Sequence, residues 1–329
     1  MKQLAIIGSG SWGTALAMVL APRFERVMLW AHEIELVEEM RSTRINNTYL
    51  PGFLLAGNIE PTNSLDTALV GTDCVLGVMP TTHARRLYTE MRPFIRGNMR
   101  LVSSTKGIEQ GSLKRVSQIM EEVLDRPPVA VLSGPTFARE VAAGEPAAIV
   151  ISSTNRFLQA EIQKVFSGPA LRLYTNDDPI GVEVGGALKN VIAVAAGVVQ
   201  GLKLGNNTMA ALITRGLAEI TRLAVAMGAN PLTLSGLSGM GDLVLTCTGD
   251  LSRNRSVGMQ LAAGKSLDEI TRSMRMVAEG VNSTVSAMDL ARKHNVNMPI
   301  TEQVYAILKQ GKNPGQAIRD LMDRTLKAE

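Results

Sequence analysis

A glycine-rich turn close to the start of the chain constrains the fold more than any other feature. The apolar run Leu4-Ala5-Ile6-Ile7 leads directly into Gly8-Ser9-Gly10-Ser11-Trp12-Gly13, and an Ala- and Leu-rich stretch follows at residues 14–20. Three glycines at this spacing, between a strand and a helix, are typical of a turn that binds a dinucleotide. The first glycine permits the tight turn, the second lets the backbone approach a pyrophosphate at the helix start, and the third allows close helix–strand packing. A glycine-rich turn without a ligand is the alternative, which the agreement of spacing, chain position and flanking elements disfavours.

The pattern beyond this turn predicts strands alternating with helices. Further strands are expected at residues 27–30, 74–78, 101–104, 129–132, 147–151 and 171–174, and helices at residues 34–40, 83–91, 113–124 and 157–166. Such alternation is typical of a parallel sheet covered by helices. After about residue 176 the chain changes to long Ala-, Val- and Leu-rich stretches that predict helices alone. We therefore expect an α/β fold, with a Rossmann-like parallel sheet domain over residues 1–177 and an all-helical domain over residues 178–329.

The composition is that of a globular chain, with 45% hydrophobic and 19% charged residues among its 329. Its formal net charge of +4 is not accompanied by a block of Lys and Arg or by a basic run interleaved with aromatic residues. Nucleic acid is therefore not an expected partner. A few cations reserved for anionic small molecules explain the basic surplus equally well.

Cysteine use and apolar run lengths bear on where the protein works. Cys74 and Cys247 lie far apart and form no CxxC or Cys/His cluster, which predicts neither a metal site nor a disulfide framework. The longest strongly apolar run, residues 191–199, is too short to span a bilayer. The N-terminus lacks the pattern of a signal peptide. We expect a cytoplasmic protein without an integral membrane segment.

The residues after the second predicted strand bear on the choice between NADP and NAD. An acid at this point binds the ribose hydroxyls and repels a 2′-phosphate. Trp30 and Ala31 are not acidic, His32 is able to face a phosphate, and Glu33 leaves the choice open. A plain solvent-facing role for His32 is an equally good interpretation. We expect NADP to be accepted, with NAD as the alternative.

Two polar segments follow predicted strands, where ligands gather in an open parallel sheet. Ser103-Ser104-Thr105-Lys106-Gly107 follows one strand, and Ser133-Gly134-Pro135-Thr136-Phe137-Ala138 follows another. Lys106 offers a mobile positive charge with three donors. Its alternative role is that of a surface lysine in a turn.

Lys189 is an ionisable residue in an otherwise small and apolar stretch, and no other lies between Glu183 and Lys203. A helix that is apolar on all sides is buried, and a buried ammonium is costly unless it is paired. Burial also lowers the pKa of a lysine towards the range useful for proton transfer. The alternative is a lysine whose stem lies in the core while its ammonium reaches water. The residues alone leave these two interpretations open.

A third polar group lies in the predicted helical half. It comprises Asp242 and the stretch at residues 246–255, which includes Ser252, Arg253 and Asn254. Arg253 is able to bind a phosphate with its bidentate guanidinium, and Asn254 adds donors. The alternative is a loop whose Asp, Ser and Asn side chains cap helices.

Histidine is scarce, which argues against one class of dehydrogenase. The chain has three histidines, and His294 alone falls in the predicted helical half, at what looks like a solvated helix end. A His–carboxylate proton relay from the second domain is therefore disfavoured. Lysine is the better candidate for proton transfer.

Several motifs, in this order, resemble the bacterial NAD(P)-dependent sn-glycerol-3-phosphate dehydrogenases over nearly the whole chain. They are Gly8-Ser9-Gly10-Ser11-Trp12-Gly13-Thr14-Ala15-Leu16-Ala17, Ser104-Thr105-Lys106-Gly107-Ile108-Glu109, Ser133-Gly134-Pro135-Thr136-Phe137-Ala138, Ala187-Leu188-Lys189-Asn190, Gly241-Asp242-Leu243, Ser252-Arg253-Asn254-Arg255 and Val277-Ala278-Glu279-Gly280. The resemblance implies interconversion of dihydroxyacetone phosphate and sn-glycerol 3-phosphate with NADP or NAD. It also implies a homodimer and a role in supplying the phospholipid backbone.

The resemblance assigns roles residue by residue, with Lys189 as the proton-transfer residue. It implies substrate contacts at Lys106, Gly134, Thr136, Lys189, Asp242, Ser252, Arg253 and Asn254. It implies cofactor contacts at Gly8, Gly10, Ser11, Trp12, Gly13, His32, Lys106, Ala138, Arg253, Val277 and Glu279. Many relatives carry Arg where this chain has His32, a departure that bears on the NADP preference. Two rival functions are a related dehydrogenase with a carboxylate substrate and a non-catalytic dinucleotide sensor.

Overall fold

The computed structural model describes residues 1–274 and 279–326. Contacts within the chain define two compact units. The first, called the sheet unit below, comprises Met1–Lys106 and Lys114–Glu183. The second, called the helical unit, comprises Gly107–Leu113 and the described part of Val184–Glu329. The helical unit therefore takes a short loop from the first half of the sequence.

The strands and helices are named in chain order. The strands are β1 (Gln3–Ile7), β2 (Arg26–Trp30), β3 (Ile45–Asn46), β4 (Leu50–Leu54), β5 (Ile59–Thr62), β6 (Cys74–Gly77), β7 (Arg100–Ser103), β8 (Val129–Ser133), β9 (Ala147–Ser152) and β10 (Leu171–Asn176). The helices up to the end of the sheet unit are α1 (Ser11–Leu20), α2 (Ile34–Thr43), α3 (Leu65–Leu69), α4 (Thr81–Met91), α5 (Val116–Val123), α6 (Ala138–Ala142) and α7 (Arg156–Phe166). They continue with α8 (Pro179–Gly201), α9 (Asn206–Ala226), α10 (Pro231–Leu234), α11 (Asp242–Thr248), α12 (Arg253–Ala262), α13 (Leu267–Ser273), α14 (Glu279–Lys293), α15 (Pro299–Gln310) and α16 (Pro314–Met322).

The predicted Rossmann-like sheet followed by helices is confirmed. Eight strands form one sheet in the order β10-β9-β8-β7-β6-β1-β2-β5. Within this sheet β1 pairs in parallel with β2 and β6, and Ile7 lies opposite both Trp30 and Gly77. Because these strands end level with one another, the glycine turn after β1 lies at the edge where the carboxyl ends of β2 and β6 also meet.

The apolar sequence of β1 reflects burial on both faces of the sheet. Leu4 and Ile6 belong to one core cluster, and Ala5 and Ile7 belong to another, all four being 0% exposed. Alternate residues of a strand point to opposite faces, and a strand covered on both sides reads as a continuous apolar run. Each face therefore contributes its own core.

One strand pair departs from the predicted parallel arrangement. β9 runs antiparallel to β8, whereas β10 and β9 are parallel to each other. The connection from β8 to β9 holds α6, which has 5 residues. Such a helix rises only about 7.5 Å, whereas a parallel crossover must return along the full length of a strand, about 20 Å. The short connection favours an antiparallel neighbour.

The sequence prediction missed the elements between α2 and β6. β3 and β4 form an antiparallel pair outside the main sheet, and β5 is the edge strand beside β2. β5 contains Pro61 and β4 contains Pro51 and Gly52, residues that usually indicate turns. An edge strand tolerates proline because one side of it needs no ladder hydrogen bonds.

The helical unit packs its central helices closely through glycines. A Cβ on Gly197 of α8 would lie 1.9 Å from the Arg255 carbonyl oxygen, and one on Gly258 of α12 would lie 2.0 Å from the Val194 carbonyl oxygen. No side chain larger than hydrogen fits at either position. α8 is long and apolar enough to cross a membrane by length and composition, but its most apolar window is 100% buried inside the protein. Such burial is typical of a core helix.

Glu219 of α9 is a buried acid at the start of α15. Its carboxylate accepts hydrogen bonds from the backbone N–H of Ile300 at 2.6 Å, and from the N–H and hydroxyl of Thr301 at 3.2 and 3.1 Å. Burial raises the pKa of Glu219 to about 7, although these hydrogen bonds act to lower it. The carboxyl group is therefore half protonated near neutrality.

We expect Glu219→Gln to change how stability depends on pH. The pKa of Glu219 is raised above its ordinary value of 4.5. Its contribution to the stability of the fold is therefore complete below about pH 4.5 and is lost as the pH rises through about 7. Wild type should therefore lose about 2 kcal/mol of its free energy of unfolding between about pH 5 and pH 8 through this group, and Glu219→Gln should not show this loss. Urea denaturation at both pH values measures this, with Glu302→Gln on α15 as the control. Parallel pH curves for wild type and Glu219→Gln would contradict the assignment.

Candidate functional site

The glycine turn leaves open space at its second glycine. Gly8 has φ +122°, and a Cβ there would lie 2.8 Å from the Val78 carbonyl oxygen. A Cβ on Gly13 would lie 1.8 Å from the Gly8 carbonyl oxygen, whereas one on Gly10 would meet nothing within 4 Å in the described chain. Gly10 precedes α1, whose first N–H groups have no acceptor within their own helix. The turn thus offers donors and space for an anion and fits the pyrophosphate of a dinucleotide.

These glycines should respond differently to alanine. Gly13→Ala should destabilise the sheet unit, because its methyl group would overlap the backbone of Gly8. Gly10→Ala should leave the melting temperature near that of wild type and weaken NADPH binding by about tenfold or more, because its methyl group would occupy the space left for the ligand. Thermal denaturation and calorimetric titration with NADPH measure both effects. NADPH affinity at the wild-type value in Gly10→Ala would show that the space at Gly10 has no binding role.

The side chains of Ser11 and Trp12 are held by hydrogen bonds within the sheet unit. The Ser11 hydroxyl donates to the Tyr49 carbonyl oxygen at 2.6 Å, and the Trp12 indole N–H donates to the Ser104 hydroxyl at 2.7 Å. The indole is thereby held near the polar segment that follows β7. Both residues lie in the first turn of α1, where an anion would bind.

The loop after β2 lies beside the glycine turn. The Gly8 N–H donates to the Trp30 carbonyl oxygen at 3.1 Å. His32 and Glu33 are exposed, and Glu33 is the N-cap residue of α2. Burial raises the pKa of Tyr49, and the nearby Glu33 carboxylate raises it further. An acid and a histidine are thus both accessible where the fold places the adenosine ribose, and both cofactor alternatives stay open.

Lys106, Gly134 and Thr136 converge in the sheet unit. The Lys106 ammonium donates to the Gly134 carbonyl oxygen at 2.9 Å, and the Thr136 hydroxyl donates to the same oxygen at 3.2 Å. Gly134 has φ +150°, and a Cβ there would lie 2.9 Å from the Cα of Ile149. Glycine is required at this position, because the backbone there lies so close to Ile149. The hydrogen bond from Lys106 to Gly134 brings the two polar segments together. Ala138 begins α6 just beyond them.

Lys189 of the helical unit forms a buried ion pair with Asp242. Their side chains are 7% and 0% exposed, and the ammonium donates to Asp242 Oδ1. The Lys189 ammonium therefore does not lie in water, which was one of the two interpretations of its sequence. Asp242 begins α11 directly after a π-helical turn at Leu237–Gly241, an irregularity that is frequent at functional sites. The described part of the helical unit thus holds a buried ammonium, a group able to donate a proton, beside a buried carboxylate.

The two arginines at the start of α12 have different surroundings. Arg255 is buried, and its guanidinium donates to the Gly249 carbonyl oxygen at 2.8 Å and to Asp250 Oδ1 at 2.9 Å. Arg253 is exposed by its surface area although many protein atoms surround its guanidinium, and this desolvation lowers the pKa of the group while Glu279 acts to raise it. Arg255 therefore braces the loop before α12, and Arg253 is the arginine able to reach a ligand.

Ser252 and Asn254 have structural contacts beside their predicted roles. Ser252 is the N-cap of α12, and its hydroxyl accepts from the Arg255 N–H at 3.3 Å. The buried Asn254 amide donates to Asn190 Oδ1 at 2.8 Å and accepts from the Gly280 N–H at 2.9 Å. Asn254 therefore joins α12 to α8 and to the start of α14, beside Lys189 and Glu279.

Three further observations concern the predicted site. Asn190 has no predicted role, although an amide in an apolar helix indicates that it has a partner. Val277 lies outside the described residues. Within residues 1–274 and 279–326, no group of three His, Cys, Asp or Glu side chains could hold a metal ion.

The fold and these clusters define a class of protein. A glycine turn opening α1 on a mainly parallel sheet, together with a buried lysine–aspartate pair in a helical unit, is typical of an oxidoreductase that uses a nicotinamide dinucleotide. Residues 3–159 match the family model described as NAD-dependent glycerol-3-phosphate dehydrogenase N-terminus, and residues 178–319 match the corresponding C-terminus model. The chain belongs to the NAD-dependent glycerol-3-phosphate dehydrogenase family.

Individual relatives agree with this assignment along the whole chain. Glycerol-3-phosphate dehydrogenase (NAD(P)+) of Geobacter sulfurreducens is 53% identical, covering 100% of this chain and 99% of its own. The protein of the same name from Koribacter versatilis is 52% identical over 98% of both chains. The crystal structure of glycerol-3-phosphate dehydrogenase from Coxiella burnetii is similar with a TM-score of 0.95 and 41% identity, covering 98% of this chain and 99% of that one.

Proposed function

We propose that the protein interconverts dihydroxyacetone phosphate and sn-glycerol 3-phosphate with NADPH or NADH, and so supplies glycerol 3-phosphate for phospholipid synthesis. The buried Lys189–Asp242 pair is the observation that carries this proposal. It lies in the unit that also presents Arg253, in a chain whose glycine turn fits a dinucleotide. The nicotinamide, when bound, supplies or accepts the hydride.

Lys189 is the proposed proton-transfer residue. Reduction of the C2 carbonyl puts negative charge on its oxygen, and an ammonium stabilises that charge and donates a proton to it. In the reverse direction the neutral amine accepts the proton from the C2 hydroxyl. Asp242 holds the ammonium in one position, so that little reorganisation is needed during the reaction. General acid–base catalysis of this kind contributes roughly 10²–10⁴-fold in rate.

Arg253 is the proposed principal ligand of the substrate phosphate. A guanidinium binds phosphate with two parallel hydrogen bonds, and Arg253 is exposed at the start of α12. Binding energy from this remote group orients the carbonyl for reaction. Lys106, Gly134, Thr136, Asp242, Ser252 and Asn254 are the other proposed substrate contacts.

The cofactor is the proposed ligand of the glycine turn and of residues near it. The proposed contacts are Gly8, Gly10, Ser11, Trp12, Gly13, His32, Lys106, Ala138, Arg253, Val277 and Glu279. The open space at Gly10 supports the part of this assignment that concerns the pyrophosphate. We further propose that residues 1–177 form the dinucleotide-binding domain and residues 178–329 the catalytic domain of a cytoplasmic homodimer.

Lys189→Met should abolish turnover and leave NADPH affinity unchanged. Removing one partner of a buried ion pair also costs about 3–5 kcal/mol of stability, because the other charge is left alone. The double variant Lys189→Met/Asp242→Asn removes the remaining charge and should recover part of that stability without recovering activity. Turnover numbers, NADPH titration and thermal denaturation measure these effects, with the exposed Lys309→Met as the control. Near-normal turnover by Lys189→Met would disprove its role.

Activity should depend on the phosphate of the substrate and on Arg253. Wild type should oxidise NADPH or NADH with dihydroxyacetone phosphate far faster than with unphosphorylated dihydroxyacetone. Arg253→Ala should raise the KM for dihydroxyacetone phosphate about 10- to 100-fold, the loss expected for a charge-assisted hydrogen bond of about 1.5–3 kcal/mol. Absorbance assays at varied substrate concentration measure both.

Two results of this assay would favour other functions. Reduction of a keto acid in preference to the phosphorylated ketone would indicate a dehydrogenase with a carboxylate substrate. Tight NADPH binding without oxidation by any phosphorylated ketone would indicate a sensor. An unchanged KM in Arg253→Ala would remove the phosphate assignment alone.

A further inference from the structure

The buried side-chain amide of Asn46 holds the glycine turn in place through hydrogen bonds. Asn46 is 0% exposed and lies on β3, in the hairpin segment that the sequence prediction missed. Its side-chain nitrogen donates to the Ser9 carbonyl oxygen at 2.8 Å and to the Thr14 hydroxyl oxygen at 2.8 Å. Its side-chain oxygen accepts from the Tyr49 N–H at 3.0 Å. Both donors and the acceptor of this amide are thus used.

We propose that Asn46 is a positioning residue for the dinucleotide, acting through the Ser9–Gly10 peptide group. This inference rests on the proposed function, since it concerns the cofactor of that reaction. The role belongs to the side chain of Asn46 and is separate from any contact with the substrate.

The planarity of the peptide bond connects Asn46 to the ligand side of the turn. In a trans peptide the carbonyl and the following N–H point in opposite directions. Holding the Ser9 carbonyl against the buried Asn46 therefore directs the Gly10 N–H away from Asn46. In the described chain, a Cβ on Gly10 would meet nothing within 4 Å. Asn46 thus fixes the orientation of a donor where an anion has room to bind.

The same hairpin holds the turn at a second point. The Tyr49 carbonyl oxygen accepts from the Ser11 hydroxyl at 2.6 Å, and the Thr14 hydroxyl itself donates to the Ser9 carbonyl oxygen at 3.0 Å. Asn46 therefore contacts the turn directly through Ser9 and Thr14, and indirectly through Tyr49 and Ser11. A donor held in place before binding loses no orientational freedom on binding, which increases affinity.

The side-chain chemistry of asparagine is needed for this arrangement. Aspartate has the same shape but no donors when ionised, and alanine has neither donor nor acceptor. A buried carbonyl oxygen that loses a donor keeps its position less firmly, although the Thr14 hydroxyl still donates to Ser9. We therefore expect Asn46→Ala to weaken binding of the dinucleotide and to leave catalysis by the bound complex unchanged.

The test compares Asn46→Ala with a variant that loses two hydrogen bonds donated by a side-chain amide elsewhere in the sheet unit. Asn58 donates its side-chain N–H groups to the carbonyl oxygens of Ala21 and Phe24, both at 2.9 Å. Calorimetric titration with NADPH and with ADP-ribose should show about a tenfold weaker Kd in Asn46→Ala, by a similar factor for both probes because both contain the pyrophosphate. Asn58→Ala should keep the wild-type Kd for both.

Steady-state kinetics separate positioning from general damage to the fold. The KM for NADPH should rise in Asn46→Ala, while kcat and the KM for dihydroxyacetone phosphate stay at wild-type values. Thr14→Val removes the second acceptor of the Asn46 amide without opening a cavity. It should therefore weaken the binding of NADPH and of ADP-ribose. This variant keeps the proposal testable if Asn46→Ala does not fold.

Each outcome distinguishes this inference from the proposed function. Unchanged affinities in both Asn46→Ala and Thr14→Val would overturn the positioning role. Equal losses in Asn46→Ala and Asn58→Ala would overturn it too, because they would indicate a structural effect. Wild-type protein that binds NADPH but does not reduce dihydroxyacetone phosphate would overturn the proposed function and leave the role of Asn46 supported or refuted by the titrations alone.

Discussion

The buried ion pair of Lys189 and Asp242 is the interaction on which the helical unit depends. An ammonium with 7% of its side chain exposed needs a carboxylate partner, and Asp242 supplies it from the first turn of α11. Without that partner the buried charge would cost several kcal/mol. The helix that carries Lys189 is accordingly surrounded on all sides, and the glycines at 197 and 258 let α12 approach it until their backbones touch. In such apolar surroundings the buried ammonium depends on its carboxylate partner.

In the sheet unit, the groups proposed to bind a ligand are of a different kind. Here the groups that would bind charge are backbone N–H donors at the start of α1 rather than a buried ion. Such donors are useful only when held in fixed directions, and the contacts of Asn46 and Tyr49 with the turn provide this. A neutral amide is suited to that task because it is satisfied by backbone groups and brings no charge that would repel a pyrophosphate.

Local signals in the sequence led to correct predictions. The glycine spacing, the apolar strands and the change to helices near residue 176 are read from neighbouring residues, and the structure has these elements. The sequence prediction was wrong at residues 45–62. Pro51, Gly52 and Pro61 are residue types typical of turns, but they lie in short strands that are stabilised by pairing with distant residues. The prediction also did not give the direction of β9, which depends on the short α6 connection. For the candidate site, the loop capping by Ser252 was one of the stated alternatives, whereas the contacts of Asn254 with Asn190 and Gly280 were not foreseen.

The sequence by itself determined the class of fold, the glycine-rich turn and the presence of one lysine, Lys189, in an apolar stretch. Each of these depends on the order of residues within a short window. Whether Lys189 reaches water or is paired was decided only by the tertiary structure, since its partner lies 53 residues away along the chain. The same holds for which arginine of α12 is accessible, because Arg255 is occupied by a loop carbonyl and by Asp250. The role of Asn46 likewise depends on a separation of 37 residues from Ser9. Contacts over such distances follow from how the elements pack, which local pattern does not encode.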